Sequence, residues 1–341
     1  MNFSARIGIA TGVLAVFGGA IAFLSSGARA TSGELTRNGV RWESSAQCKE
    51  CHEGVYAEWF GSHHQIAFSN PEVRQLSDEF RKEECMDCHL PRPLDVTGFG
   101  KRTLPRRTHF DEGVGCITCH LGADGGIVAR NSRPEVPCKP VANPEFFAVD
   151  ACASCHNQHG TTDQWRASHW NQQGTDCAAC HMPEVERVRK DGSKRFGRKH
   201  VFEGGHDLAT LRKAGTFTAV RDGNELVLTL TNVGAGHNFP TEERHRAVDI
   251  LHRVVTAAGP GDWVRDWRCR QPYRDEAEPI NPGNASGENT QLPAGASKVV
   301  RVPIPADAKA IETRVWYRLT PFVGDDDSKS TLLFEQRVEI Q

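Results

Sequence analysis

Ten of the twelve cysteines in this 341-residue chain fall into one repeated pattern, two thiols separated by two residues and followed at once by histidine. The copies are Cys48-Lys49-Glu50-Cys51-His52, Cys85-Met86-Asp87-Cys88-His89, Cys116-Ile117-Thr118-Cys119-His120, Cys152-Ala153-Ser154-Cys155-His156 and Cys177-Ala178-Ala179-Cys180-His181. C-x-x-C-H is the attachment signature of c-type haem. Chemistry sets the spacing: two thiols on one short turn bond the two vinyl-derived carbons of a porphyrin, and the next residue presents imidazole to its iron. At this composition chance supplies on the order of 0.02 matches, so five copies point to five covalent haem c groups. Other uses of paired cysteines fit less well. Structural zinc does not require histidine after every second thiol. The bacterial iron–sulfur run C-x2-C-x2-C is absent, and a thioredoxin-like pair occurs once, in a βαβ setting.

Each haem iron has a second axial position, and its occupant sets the potential: methionine raises it, whereas a second histidine leaves it low. Methionine is scarce. Besides Met1, Met86 lies inside an attachment motif and Met182 directly follows His181, so neither is placed to reach a distal face. Fifteen histidines, five of them proximal, leave ten, twice the number that complete bis-histidine ligation needs. The expected state is mostly six-coordinate, low-potential, bis-histidine haem.

Helix geometry narrows the ten. His63 and His64 follow His52 by 11 and 12 residues across a segment read as helical, about 16 Å along the axis, too far to clamp the iron that His52 holds. One of them is expected to ligate a neighbouring haem. Trp59-Phe60-Gly61-Ser62-His63 recurs as Trp165-Arg166-Ala167-Ser168-His169, an internal repeat that makes His169 a distal candidate too. His109, seven residues before Cys116, is a candidate ligand of an adjacent haem; His200 ends a basic stretch and His206 follows Gly204-Gly205. His159 shares a helical face with His156 and cannot reach round to the other side of that haem, so it reads as a propionate partner or a neighbour's ligand. His245 and His252 fall in segments read as strands, where a structural role is expected.

The elements that must carry these residues divide the chain into residues 1–30, 31–207 and 208–341. Arg6, the uncharged run Ile7 to Leu24 and the A-x-A pattern Ala28-Arg29-Ala30 read as a signal peptide cleaved after Ala30, which implies export to the periplasm or the exterior. Membrane association is expected only if that segment is retained. Its removal takes away two arginines and no acid, leaving a formal charge of −4. Such a chain has no basic excess for nucleic acid. Residues 31–207 read as a mostly helical and irregular pentahaem cytochrome c domain with the haems serving as core. After residue 208 the pattern alternates with period two, over 225–232, 297–304 and 312–319, with turn signals at Asp222-Gly223 and Pro282-Gly283-Asn284. That predicts an antiparallel β-sandwich, and an α+β multidomain protein as a whole. The loop Asn232-Val233-Gly234-Ala235-Gly236-His237-Asn238-Phe239-Pro240-Thr241 presents His237 as a further ligand. The unmatched Cys138 and Cys269 are expected to pair as a disulfide in an oxidising compartment, with two independent buried thiols as the alternative.

At these residues the chain resembles the cytochrome c554-like multihaem cytochromes, which are exported by bacteria and some archaea. The likeness covers most of residues 46–245. It rests on the two Trp-x-x-Ser-(x)-His elements, on Gly113-Val114-Gly115-Cys116, on Cys177 to Pro183, on His200-Val201-Phe202 and on Gly234 to Thr241. The resemblance implies His64, His169, His200 and His237 as distal ligands, and in some relatives a β-domain or a neighbouring subunit supplies one. It implies an electron carrier that exchanges electrons with other redox proteins. Two rival expectations are a reductase of a small nitrogen compound with one five-coordinate haem, and a homo-oligomeric cytochrome filament.

Overall fold

The computed structural model describes residues 39–340 apart from 189–190 and 242–243, so the expected signal peptide lies outside the described residues. Among the described residues no helix is long and apolar enough to cross a membrane. Short helices predominate up to Ala214 and two antiparallel sheets follow, an α+β arrangement.

From Ala46 to Ala214 the helices are one or two turns long. Helices this short are marginal in water, so tertiary contacts must hold them. The buried apolar cluster in this stretch is small, Phe80, Met86 and Leu90 with Phe68, Val73 and Cys85 against them. Each attachment motif lies on or beside a helix: Ala46–Lys49, Met86–His89, Cys116–His120, Val149–His156 and Cys177–His181. The segment after His52 is helical as expected, over Glu53–Trp59. A hairpin of Glu184–Val188 and Lys194–Arg198 follows the fifth motif and leads to His200.

Strand Glu225–Asn232 coincides with its predicted span, and its alternation is visible in the burial of Leu226, Leu228, Leu230 and Asn232, each 0% exposed. It is the centre of a three-stranded antiparallel sheet, between Gly215–Asp222 and Ser297–Pro303. Gly223, at φ +60° and the first position of a two-residue loop, makes the connecting hairpin turn, a conformation glycine adopts freely. A second antiparallel sheet pairs Ser330–Glu339 with Ala310–Arg318, then Ala247–Thr256, which Val264–Cys269 flanks. The predicted 297–304 and 312–319 strands are thus observed at 297–303 and 310–318. One apolar cluster joins the two sheets, with Leu226, Leu228 and Leu230 against a set that includes Ile250, Val315 and Leu333.

The expected Cys138–Cys269 disulfide is corrected by the structure. Neither cysteine is in a disulfide. Cys269 is sealed within the inter-sheet cluster, while Cys138 lies close enough to Cys48 to raise its pKa. His252 is structural as expected, its Nδ1 2.8 Å from the Asp266 carboxylate. His245 precedes the strand rather than lying in it and meets the Tyr273 hydroxyl at 2.7 Å.

Candidate haem-binding site

The five motifs, spread over more than 130 residues of sequence, converge in space. Cys48 of the first lies within hydrogen-bonding reach of Cys116 of the third, Cys88 of the second meets Cys155 of the fourth, and Cys152 of the fourth meets Cys177 of the fifth. Cys119 of the third is near enough to Cys152 and Cys155 to raise the pKa of both. The fourth motif is therefore central, touching the second, third and fifth, and the first joins through the third.

Buried polar contacts set this arrangement. Glu112, 6% exposed, accepts from the Ser45 backbone N–H at 2.9 Å and from the Ser45 hydroxyl at 2.7 Å. Ser45 Oγ in turn accepts from the Cys116 N–H at 2.9 Å, and the Ser45 carbonyl accepts from Cys48 N–H at 3.0 Å. One serine thus ties the first motif to the third. Gly113 is forced by close approach: at φ +48° a Cβ there would stand 2.5 Å from the carbonyl oxygens of His64 and Gln65. That approach lets the Val114 N–H reach the His64 carbonyl at 2.8 Å, while the Trp59 indole donates to the Val114 carbonyl at 2.9 Å. The repeated tryptophan does the same work in the second element, where Trp165 Nε1 donates to Thr175 at 2.8 Å.

Three proximal histidines face a histidine remote in sequence. His156 faces His64 with ring centroids 6.1 Å apart, His120 faces His200 at 6.5 Å, and His181 faces His237 at 6.2 Å. A metal about 2.0 Å from each of two imidazole nitrogens, with each ring centre about 1.2 Å behind its nitrogen, requires a centroid spacing of about 6.4 Å. All three pairs have the separation that an iron between them demands. Direct ring stacking looks different: His63 lies on His206 at 3.7 Å.

Backbone carbonyls fix which ring nitrogen points inward. The Nδ1 of His89 meets Ala67 at 2.9 Å, that of His120 meets Val128 at 3.1 Å, and that of His181 meets Glu203 at 2.6 Å. Nδ1 of His200 meets Arg198 at 2.8 Å and that of His237 meets Asn238 at 2.9 Å. Each bond holds Nδ1 as the N–H donor and leaves Nε2 with its lone pair open to a metal. Burial also keeps the His120 and His200 rings neutral, as a metal ligand must be. It pushes His120 down to about 4 and lowers His200.

His200 is held from both sides. The Arg187 guanidinium grips Glu58 at 2.9 and 2.6 Å, and Glu58 accepts the His200 N–H at 2.8 Å. Burial raises the Glu58 pKa, but the Arg187 hydrogen bond, the His200 N–H and the Arg187 charge outweigh it, so the carboxyl ends below its ordinary value. A helix that starts after one proximal histidine thereby positions the candidate ligand opposite another.

The remaining features fit porphyrin. Trp42 Nε1, Thr162 Oγ1 and Trp170 Nε1 are buried donors without a protein partner, the kind of group that a propionate carboxylate satisfies. Among the described residues no three His, Cys, Asp or Glu side chains converge on a bare metal ion; a porphyrin brings four nitrogens of its own and needs only two protein ligands.

Of the sequence candidates, His64, His200 and His237 are brought opposite proximal rings. His63 is instead on His206, which is pushed down to about 4 by burial and then by the His63 and Arg246 charges. No ring contact among the described residues links His109 or His169 to a proximal histidine. His109 adopts φ +49° before a short turn, and His169 is exposed with its ring 5.1 Å from Trp170. The His63–His206 stack and the Ser45–Glu112 tie carry no sequence signal, because each joins segments that neither spacing nor periodicity relates.

Comparisons with known proteins point the same way. Residues 47–121, which hold the first three motifs, match the family model for cytochrome c554 and c-prime. No curated protein matches the chain significantly. A penta-heme cytochrome c552 from Thermochromatium tepidum superposes with TM-score 0.64 at 19% identity, over 87% of this chain and 99% of that one. At that identity the likeness shows the fold. The X-ray structure of Northeast Structural Genomics Consortium target SoR45 aligns at TM-score 0.17 and 9% identity, over 37% of this chain and 83% of that one, too little to bear on the argument. The family match lies in the segment that holds the first three motifs, and the structural likeness gives the fold over most of the chain.

Proposed function

We propose that the chain is an exported pentahaem c-type cytochrome that carries electrons between redox partner proteins through mostly bis-histidine, low-potential haems. The observation that carries this reading is the set of three histidine pairs at 6.1 to 6.5 Å, each joining a motif's own histidine to one distant in sequence. Bound haem supplies iron that alternates between ferrous and ferric, taking up and giving back one electron at a time. The protein's part is to hold and tune. Cys48, Cys51, Cys85, Cys88, Cys116, Cys119, Cys152, Cys155, Cys177 and Cys180 anchor the porphyrins, and His52, His89, His120, His156 and His181 are the proximal ligands. His64, His200 and His237 close the opposite faces of the fourth, third and fifth sites.

Domains fit the same reading: residues 31–207 hold the attachment motifs, and residues 208–341 form a β-sandwich whose loop lends His237 to the fifth. The thiol contacts support a branched order with the fourth motif as its node rather than a single file.

Electronic and EPR spectra of the oxidised protein, followed through a redox titration, test the ligation. Four or five of the five centres are expected to be low-spin and to titrate at low potential. Fewer than four such centres would contradict the proposal.

A further inference from the structure

His237 reaches His181 only because a ten-residue loop leaving strand Glu225–Asn232 is held in one shape. The last residue of that strand, Asn232, is 0% exposed, and its side-chain amide is used on both sides. Nδ2 donates to the His237 carbonyl at 2.8 Å and to the Leu292 carbonyl at 3.0 Å, while Oδ1 accepts the Ala235 N–H at 3.1 Å. Its backbone is fixed too, with Asn232 N–H donating to Ala296 at 3.0 Å and Gly295 N–H donating to Asn232 at 2.9 Å. Beyond His237 the loop is pinned by a reciprocal pair of backbone bonds between Phe239 and Leu292, at 2.8 and 3.0 Å. Asn232 therefore bonds to the loop before His237, to the backbone carbonyl of His237 itself, and to the segment that holds the loop after it.

We propose that Asn232 is the positioning residue for the sixth ligand of the fifth haem: its carboxamide sets the place of the His237 backbone, and hence whether the imidazole reaches the iron held by His181. No other residue type offers this set of contacts in the same space. Aspartate would set a carboxylate against two carbonyl oxygens, and leucine would take the amide away from the His237 carbonyl and the Ala235 N–H in a buried site. Gln164 supplies a second clamp from helix Thr161–Arg166, where Oε1 accepts the Asn238 N–H at 3.1 Å and the Thr241 hydroxyl at 2.7 Å. That clamp lies beyond the histidine and does not touch its carbonyl.

This inference rests on His237 being a haem ligand, and the experiment separates the two. EPR and magnetic circular dichroism spectra of the holoprotein are compared for the parent, Asn232→Leu, Asn232→Ser and His237→Gly. His237→Gly is expected to turn one haem of five high-spin. Asn232→Leu is expected to give the same single high-spin haem, which millimolar imidazole returns to low-spin, and to add nothing in the His237→Gly background. Asn232→Ser keeps an acceptor and a smaller perturbation; it gives a partial high-spin fraction and decides the matter should the leucine variant fail to fold. If His237→Gly converts a haem but the Asn232 variants keep the parent's spin-state count, the positioning role is overturned and the ligand stands. If His237→Gly converts none, both fall.

Discussion

Replacing His237 by glycine is expected to leave the fifth haem covalently attached but without its sixth ligand, so that one centre in five becomes high-spin and its potential moves apart from the others. The physical basis is local. The His181 and His237 rings are 6.2 Å apart and inclined by 15°, and each Nδ1 is committed to a backbone carbonyl. The other two pairs, His64 with His156 and His120 with His200, share no residue with this one, so their spectra stay as they were. Added imidazole is expected to occupy the vacated space and restore the low-spin signal. A variant whose spectrum matches the parent before and after imidazole would remove His237 from the ligand set. Loss of covalent haem, measured by mass, would show that the loop is needed for attachment rather than for ligation.

The second large effect is on stability. Asp249 is 1% exposed in strand Ala247–Thr256 and accepts from Arg268 Nε at 2.6 Å, Arg268 Nη2 at 2.7 Å and Arg318 Nε at 2.6 Å. Arg318 goes on to Asp325 at 2.5 Å. Arg265 stands close by, its pKa lowered by burial and then by the Arg268 charge. One carboxylate therefore bridges two buried guanidiniums, the second of which also reaches Asp325, in a positive neighbourhood. Asp249→Asn keeps the shape and removes the charge. Breaking a buried pair from one side costs about 3–5 kcal/mol, a large part of the roughly 5–15 kcal/mol that holds a domain together. Urea unfolding followed by tryptophan fluorescence is expected to show the unfolding free energy falling by that amount, read as a lower midpoint at an unchanged slope. A loss under about 1 kcal/mol would mean that water or a neighbouring acid replaces Asp249.

Attachment chemistry was legible because it is local: C-x-x-C-H places thiols and imidazole within one turn, and no fold is needed to see it. Strand Glu225–Asn232 was legible for the same reason, since Leu226, Leu228 and Leu230 repeat with the period of a pleat. Distal ligation is non-local, and sequence could offer only candidates. His63 and His64 are adjacent, and choosing between them depends on Gly113, whose missing side chain lets the 113–115 segment approach the His64 backbone. His109 and His169 look alike to His200 by type and setting, yet only His200 follows a hairpin that Arg187 and Glu58 anchor, beside His120. The expected disulfide failed on packing, because strand pairing turns Cys269 into the inter-sheet cluster while Cys138 stays near the first motif.

Intact mass spectrometry of the mature protein, expressed in a host that attaches haem c, tests the central claim most directly. The account predicts a polypeptide mass raised by five haem groups, none lost on denaturation. A mass raised by four or fewer in fully matured protein would contradict it.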